Sequence, residues 1–162
     1  MTTRPFNVLL AMFVLLTSIG AAQANGLLMA RIPMKADIAM EYLQTAITDH
    51  GYHIAHIQKC DSGMSGFGYK TDFYKVIFFG KLDEIRRISA KHPGFSAYLP
   101  LKVTVVAEGD ETVLTLVDPL NFRPFFNEDR DILSQLRRWH NDAQSFFDAL
   151  LRESEPLGGH EY

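Results

Sequence analysis

The run from near Asp129 to Arg152 limits the possible folds more than any other part of the chain. Ile132, Leu136, Trp139, Ala143, Phe146 and Leu150 recur there at steps of three and four, the spacing of one face of an α-helix. About 24 residues at 1.5 Å each make a helix roughly 36 Å long. An apolar stripe of that length has to lie on a sheet. The preceding stretch supplies one: Leu101, Val103, Val105 and Ala107 alternate with Lys102, Thr104, Val106 and Glu108, Gly109-Asp110 turns the chain, and Thr112 to Val117 returns it. Asp118-Pro119 ends that hairpin.

The upstream half adds three strands and two helices. Gly26 to Pro33 reads as a first strand, closed by a proline that donates no ladder hydrogen bond. A helix follows, with Asp37 as its N-cap, Ala39, Tyr42, Leu43, Ala46 and Ile47 at helical spacing, and Gly51 just past its end. Tyr52 to Lys59 has the β-branched and aromatic content of a second strand. Cys60 to Lys70 is a glycine-rich loop, and Asp72 to Gly80 an apolar strand expected to be buried on both faces. Leu82 to Lys91 makes a short helix that His92-Pro93-Gly94 stops. LNFRPFFNE reads as an irregular connection into the long helix. The order β-α-β-β-α-β-β-α predicts an α+β domain, one antiparallel sheet packed by helices.

At the N-terminus, Arg4, the apolar run from Val8 to Ile19 and the small-x-small triplet Ala22-Gln23-Ala24 have the form of a secretory signal peptide. The expected organisation is therefore a signal peptide over 1–24, one domain over 25–152 and a disordered tail over 153–162. A periplasmic or secreted protein is expected, with no membrane anchor after processing. Loss of Arg4 takes the formal charge from −3 to −4, the wrong sign for a nucleic-acid surface. Cys60 is the single cysteine and has no intrachain partner.

The stretch from Tyr69 to Pro119 resembles the domain of unknown function 302 family. An apolar strand and short helix, Leu99-Pro100 leading into a hairpin, an acid-rich turn and the closing Asp118-Pro119 carry the likeness. With the flanking helices it extends from Asn25 to about Leu151. The resemblance implies a two-layer, TATA-binding-protein-like arrangement of helices on an antiparallel sheet. It implies no chemistry, and where many members carry a cysteine-asparagine-proline turn this chain has Phe79-Gly80-Lys81.

No constellation of residues reaches the specificity of a catalytic motif, so no catalytic residue is assigned. SGMSGFGYKT departs from a phosphate-binding loop, since Tyr69 separates Gly68 from Lys70 and a strand follows. Asp83/Glu84, Glu108/Asp110/Glu111 and Glu128/Asp129/Asp131 fall at helix starts or a hairpin tip, where negative charge has structural work. His50 suits the negative end of its helix. The aromatic connection is different: Phe122, Arg123, Phe125 and Phe126, with Tyr98, are positioned to line a groove between the long helix and the sheet. The expected function is an accessory module, rather than an enzyme, that binds a small apolar ligand or a protein partner, which includes a second copy of itself. The cofactor is unknown. The alternative is redox, haem or metal handling by Cys60 with His53 or His56. In a regular strand those two histidines point to opposite faces and converge only across a bulge.

Overall fold

The computed structural model describes residues 26–68, 73–126 and 128–155. The expected signal peptide over 1–24 and residues 156–162 of the expected tail lie outside the described residues. Elements follow in the order β1 (Leu27–Ile32), α1 (Ala36–Asp49), β2 (His53–Lys59), α2 (Cys60–Ser65), β3 (Tyr74–Gly80), α3 (Leu82–Lys91), a first 3₁₀ segment (Pro93–Tyr98), β4 (Leu101–Glu108), β5 (Glu111–Val117), a second 3₁₀ segment (Pro119–Phe126) and α4 (Arg130–Ser154). No helix among the described residues is long and apolar enough to cross a membrane.

The five strands form one antiparallel sheet in the order β1-β5-β4-β3-β2. Side chains alternate across it with the pleat. Ile32, Leu114, Leu116, Val103, Val105, Ile77 and Phe79 are buried on one face with Ala39, Leu43 and Ile47 of α1 and the α4 stripe. Met29, Val113, Thr115, Thr104, Val106, Val76 and Phe78 alternate with these and none is buried. Among the described residues the core thus lies on one face, under α1 and α4. That corrects the expectation that β3 is buried on both faces: Ile77 and Phe79 are, whereas Val76 and Phe78 are half-buried.

Gly109 has φ +66° and turns β4 into β5 with Glu108 and Glu111 paired across the turn, a conformation that costs glycine no Cβ clash. Arg31 of β1 pairs with both glutamates at that tip. At the end of α1, Gly51 has φ +76°, its N–H bonds Thr48 O and the Tyr52 N–H bonds Ile47 O, the two hydrogen bonds of a Schellman cap.

Several expectations need correction. Lys35, not Asp37, occupies the N-cap of α1 and makes no side-chain cap bond; Asp37 lies in the first turn, where its charge meets the helix dipole. Tyr42 is 41% exposed, and Met40 fills the core instead. The glycine-rich loop begins as the short helix α2, because Asp61 and the Ser62 and Ser65 hydroxyls bond local backbone groups. The stretch after the helix stop at His92-Pro93-Gly94 and the expected connection after β5 are both 3₁₀ segments. In the second, the Asp118 carboxylate accepts the Leu120 N–H and the Asp118 carbonyl accepts the Asn121 N–H. The long helix reaches Ser154, two residues into the expected tail.

Candidate functional site

The groove is built where the two 3₁₀ segments meet the first half of α4. Trp139, on the buried stripe of α4, lies parallel to Phe95 of the first segment, with ring centroids 6.3 Å apart and an interplanar angle of 3°. Phe122 and Phe126 of the second segment meet Phe95 edge-on at 5.0 and 5.4 Å, and Tyr98 lies 4.4 Å from Phe122. These offset and T-shaped contacts match the quadrupoles of the rings and hold the wall rigid. The Trp139 indole N–H donates to Glu84 of α3 at 2.8 Å, so the ring is pinned from its polar edge as well.

Beside this cluster lies a cavity of about 170 Å³ lined by Phe95, Tyr98, Leu101, Lys102, Leu116, Val117, Pro119, Phe122 and Trp139. A neighbouring hollow of about 190 Å³ shares Phe95, Tyr98 and Phe122 and adds Gly94, Phe125 and Phe126. Of the sequence-based candidates, Tyr98 and Phe122 therefore line both hollows, Phe125 and Phe126 line the second, and Arg123 lines neither. Phe125 is 77% exposed at its rim. The residues missed are Phe95, Trp139, which the helical stripe marks only as core, and the ends of β4 and β5, whose alternation marks strand faces without showing where the covering layer stops.

A family model for a domain of unknown function, DUF302, matches residues 30–144. This chain belongs to the DUF302 family. Its fold is similar to the crystal structure of an uncharacterized conserved DUF302 protein from Bacillus stearothermophilus, at 13% sequence identity and a TM-score of 0.69, covering 78% of this chain and 99% of that one. No curated protein matches the chain. The Leu99-Pro100 hairpin lead and the Asp118-Pro119 stop of this DUF302 chain bracket the strands that floor the groove.

The other candidates sit elsewhere on the DUF302 scaffold. The β2–β3 register shifts between Ile54 and His56, leaving Ala55 as the extra residue. His53 then lies opposite Gly80 and His56 opposite Phe78, on the face of the sheet away from the core. Cys60, partly exposed, begins α2 at the end of the same strand. Among the described residues no three His, Cys, Asp or Glu side chains gather as a metal site. His50 closes α1, its Nδ1 2.8 Å from Ala46 O.

Below the second hollow, Asp129 caps α4 by accepting the Asp131 N–H and also bonds Lys91 Nζ at 2.7 Å and His92 Nε2 at 2.8 Å. Lys91 above all holds its carboxyl well below the usual carboxylate range; desolvation, the next largest effect, opposes this, and His92 and the cap N–H groups add to the lowering. A depressed native pKa adds stability above the unfolded value near 3.8 that is lost as the pH falls toward the native one. Asp129→Asn keeps the cap and removes the charge. Its deficit in melting temperature relative to the wild type should thus be full near pH 5 and shrink steadily toward pH 2. A deficit that does not change across this range would show that the ion pairs are not its source.

Proposed function

We propose that this DUF302 protein is an exported binding module that holds a small apolar ligand in the groove between α4, the two 3₁₀ segments and the ends of β4 and β5. The observation that carries the reading is the 170 Å³ cavity, whose walls are apolar but for Tyr98 and Lys102. Dry apolar cavities of about 150 Å³ accept a benzene ring, so the space suits one ring or a short branched chain. The core on one face of the sheet also supports the TATA-binding-protein-like arrangement implied by the family resemblance.

Trp139 is the single tryptophan and lines the cavity, so its emission reports occupancy directly. Titration with a panel of small aromatic and branched-chain compounds should give a saturable change that Tyr98→Ala and Phe122→Ala weaken. Binding that neither substitution alters would place the ligand elsewhere. Phe125→Ala should leave stability within about 0.5 kcal/mol, because the ring is exposed. Its effect should appear in binding or self-association, read by titration and sedimentation. A large loss of melting temperature would mean that Phe125 is core.

Export rests on Arg4, the apolar run and Ala22-Gln23-Ala24. Intact-mass measurement of material from the native compartment should give a chain that begins at Asn25, and retention of residues 1–24 would overturn the assignment. The second reading, metal or haem handling, draws support from the bulge that brings His53 and His56 to one face. Metal analysis and absorption spectra of the natively exported protein decide between the two.

A further inference from the structure

We propose that the outer edge of β1 takes an extended peptide segment as a sixth strand, with one apolar side chain in a hollow under α4 and a lysine or arginine beside Asp148. This site is separate from the aromatic groove and does not depend on it. β1 stands at one end of the strand order and β2 at the other. The two edges differ in how they discourage further pairing. β2 carries the bulge at Ala55 and exposed His53, His56 and Lys59, devices that keep an edge from adding strands. β1 pairs with β5 from Leu27 to Ile32 without a break in register and contains neither proline nor lysine. Among the described residues, Leu27–Arg31 form no backbone hydrogen bond outside the ladder with β5. Alternate residues of such an edge turn their N–H and C=O groups outward, a template for another strand.

A hollow of about 260 Å³ lies along this edge. Leu28 and Ala30 form one side of it, on the core face of the sheet, since their partners across the ladder are the buried Leu116 and Leu114. Gln144, Phe147, Asp148 and Leu151 form the other side, and their spacing of three, one and three residues puts them on one face of α4. A strand added about 4.8 Å beyond β1 would direct alternate side chains into this space. The hollow exceeds the roughly 150 Å³ that accepts a benzene ring, so it holds one large apolar side chain with the next residue of that face at the rim. Leu151, 37% exposed, meets the incoming strand on this face, and Leu27 and Met29, 44% and 58% exposed, meet it on the other.

The rim fixes the charge of the occupant. Asp148 is exposed, and among the described residues it forms no ion pair, Arg152 one turn on lying beyond that distance. A cation two places along from the apolar residue shares its face of the strand and meets this carboxylate. A second copy of this chain fits less well. A two-fold axis at the middle of β1 would join two such hollows and set two Asp148 carboxylates along one seam, between chains that each carry a formal charge of −3.

The test uses the amidated nonapeptide TVTLTKTVT with an N-terminal fluorophore, and versions with glutamine or glutamate for the lysine and serine for the leucine. Anisotropy is read on the wild type, Asp148→Asn and Asp148→Lys, after melting curves show that these surface variants are folded. The wild type should bind the lysine peptide about fivefold tighter than the glutamine peptide, as one exposed ion pair supplies, and the difference should narrow as salt rises. Asp148→Asn should remove the difference, and Asp148→Lys should favour the glutamate peptide. The serine peptide should bind about tenfold more weakly than the leucine peptide, for want of the buried side chain. Amide exchange followed by nuclear magnetic resonance should slow along Leu27–Ile32 and not along β2. Equal affinity of the wild type for the lysine and glutamine peptides overturns the inferred charge, and a preference that survives Asp148→Asn overturns the role of Asp148. Protection along β2 instead of β1 overturns the choice of edge. A dimer that the peptide dissociates, seen by sedimentation, overturns the peptide as occupant in favour of a second copy, and if no peptide binds the inference fails.

Discussion

Trp139→Ala is expected to lower the unfolding free energy by about 3–5 kcal/mol, a large share of the margin of a domain this size. The side chain is 2% exposed, and its removal would open the floor of the groove under the stacked Phe95 ring. It would also leave Glu84 without its indole donor. Trp139→Phe separates the two contributions: it restores most of the ring and none of the hydrogen bond, so it should recover the larger part of the loss. Urea titrations followed by far-ultraviolet circular dichroism measure both. A cost below about 1 kcal/mol for the alanine variant would mean that the two 3₁₀ segments collapse onto the vacancy, and the groove would then have no rigid wall.

A loss of similar size, about 3–5 kcal/mol, is expected for Phe146→Ala, two turns further along the same stripe. Phe146 is 1% exposed and meets His50, Tyr52 and Phe79 edge-on at 5.0, 5.8 and 5.8 Å, so one ring joins α4 to the end of α1 and to β3. Tyr52 is fixed in turn by its hydroxyl, which donates to Asp142 at 2.6 Å. Burial first, and then this hydrogen bond, push the phenol above the usual tyrosine range. Phe146 is remote from the groove lining, so the variant should lose stability while the folded fraction keeps its ligand affinity. Denaturation midpoints with Trp139 titrations at low temperature test that split. A loss of affinity in the Phe146 variant as large as that of Tyr98→Ala or Phe122→Ala would show that the groove depends on the helix as a whole rather than on its own wall.

Much of the scaffold is readable in the order of residues. The stripe Ile132, Leu136, Trp139, Ala143, Phe146 and Leu150 is buried throughout, and the Leu101–Glu108 alternation with its Gly109 turn is the β4–β5 hairpin. The local rule suffices there because a period of 3.6 or 2 is set by backbone geometry alone. The candidate site was readable in part. Two adjacent phenylalanines in a proline-bounded connection cannot share one buried face, and the structure has Phe125 exposed and Phe126 packed on Phe95 and His92. Arg123 lines neither hollow, since side-chain direction in a 3₁₀ turn does not follow from adjacency.

What the chain order determined by itself, then, is the elements, their periodicity and the hydrophobic face each must bury, since these depend on neighbours a few residues away. The tertiary structure alone decided which face of the sheet carries the core, that a bulge at Ala55 turns His53 and His56 to the same side, and that Phe95, Lys102, Val117 and Trp139 line one cavity. Those facts depend on register and on contacts between segments distant in the chain, where a shift of one residue reverses every side chain and local propensity carries no information.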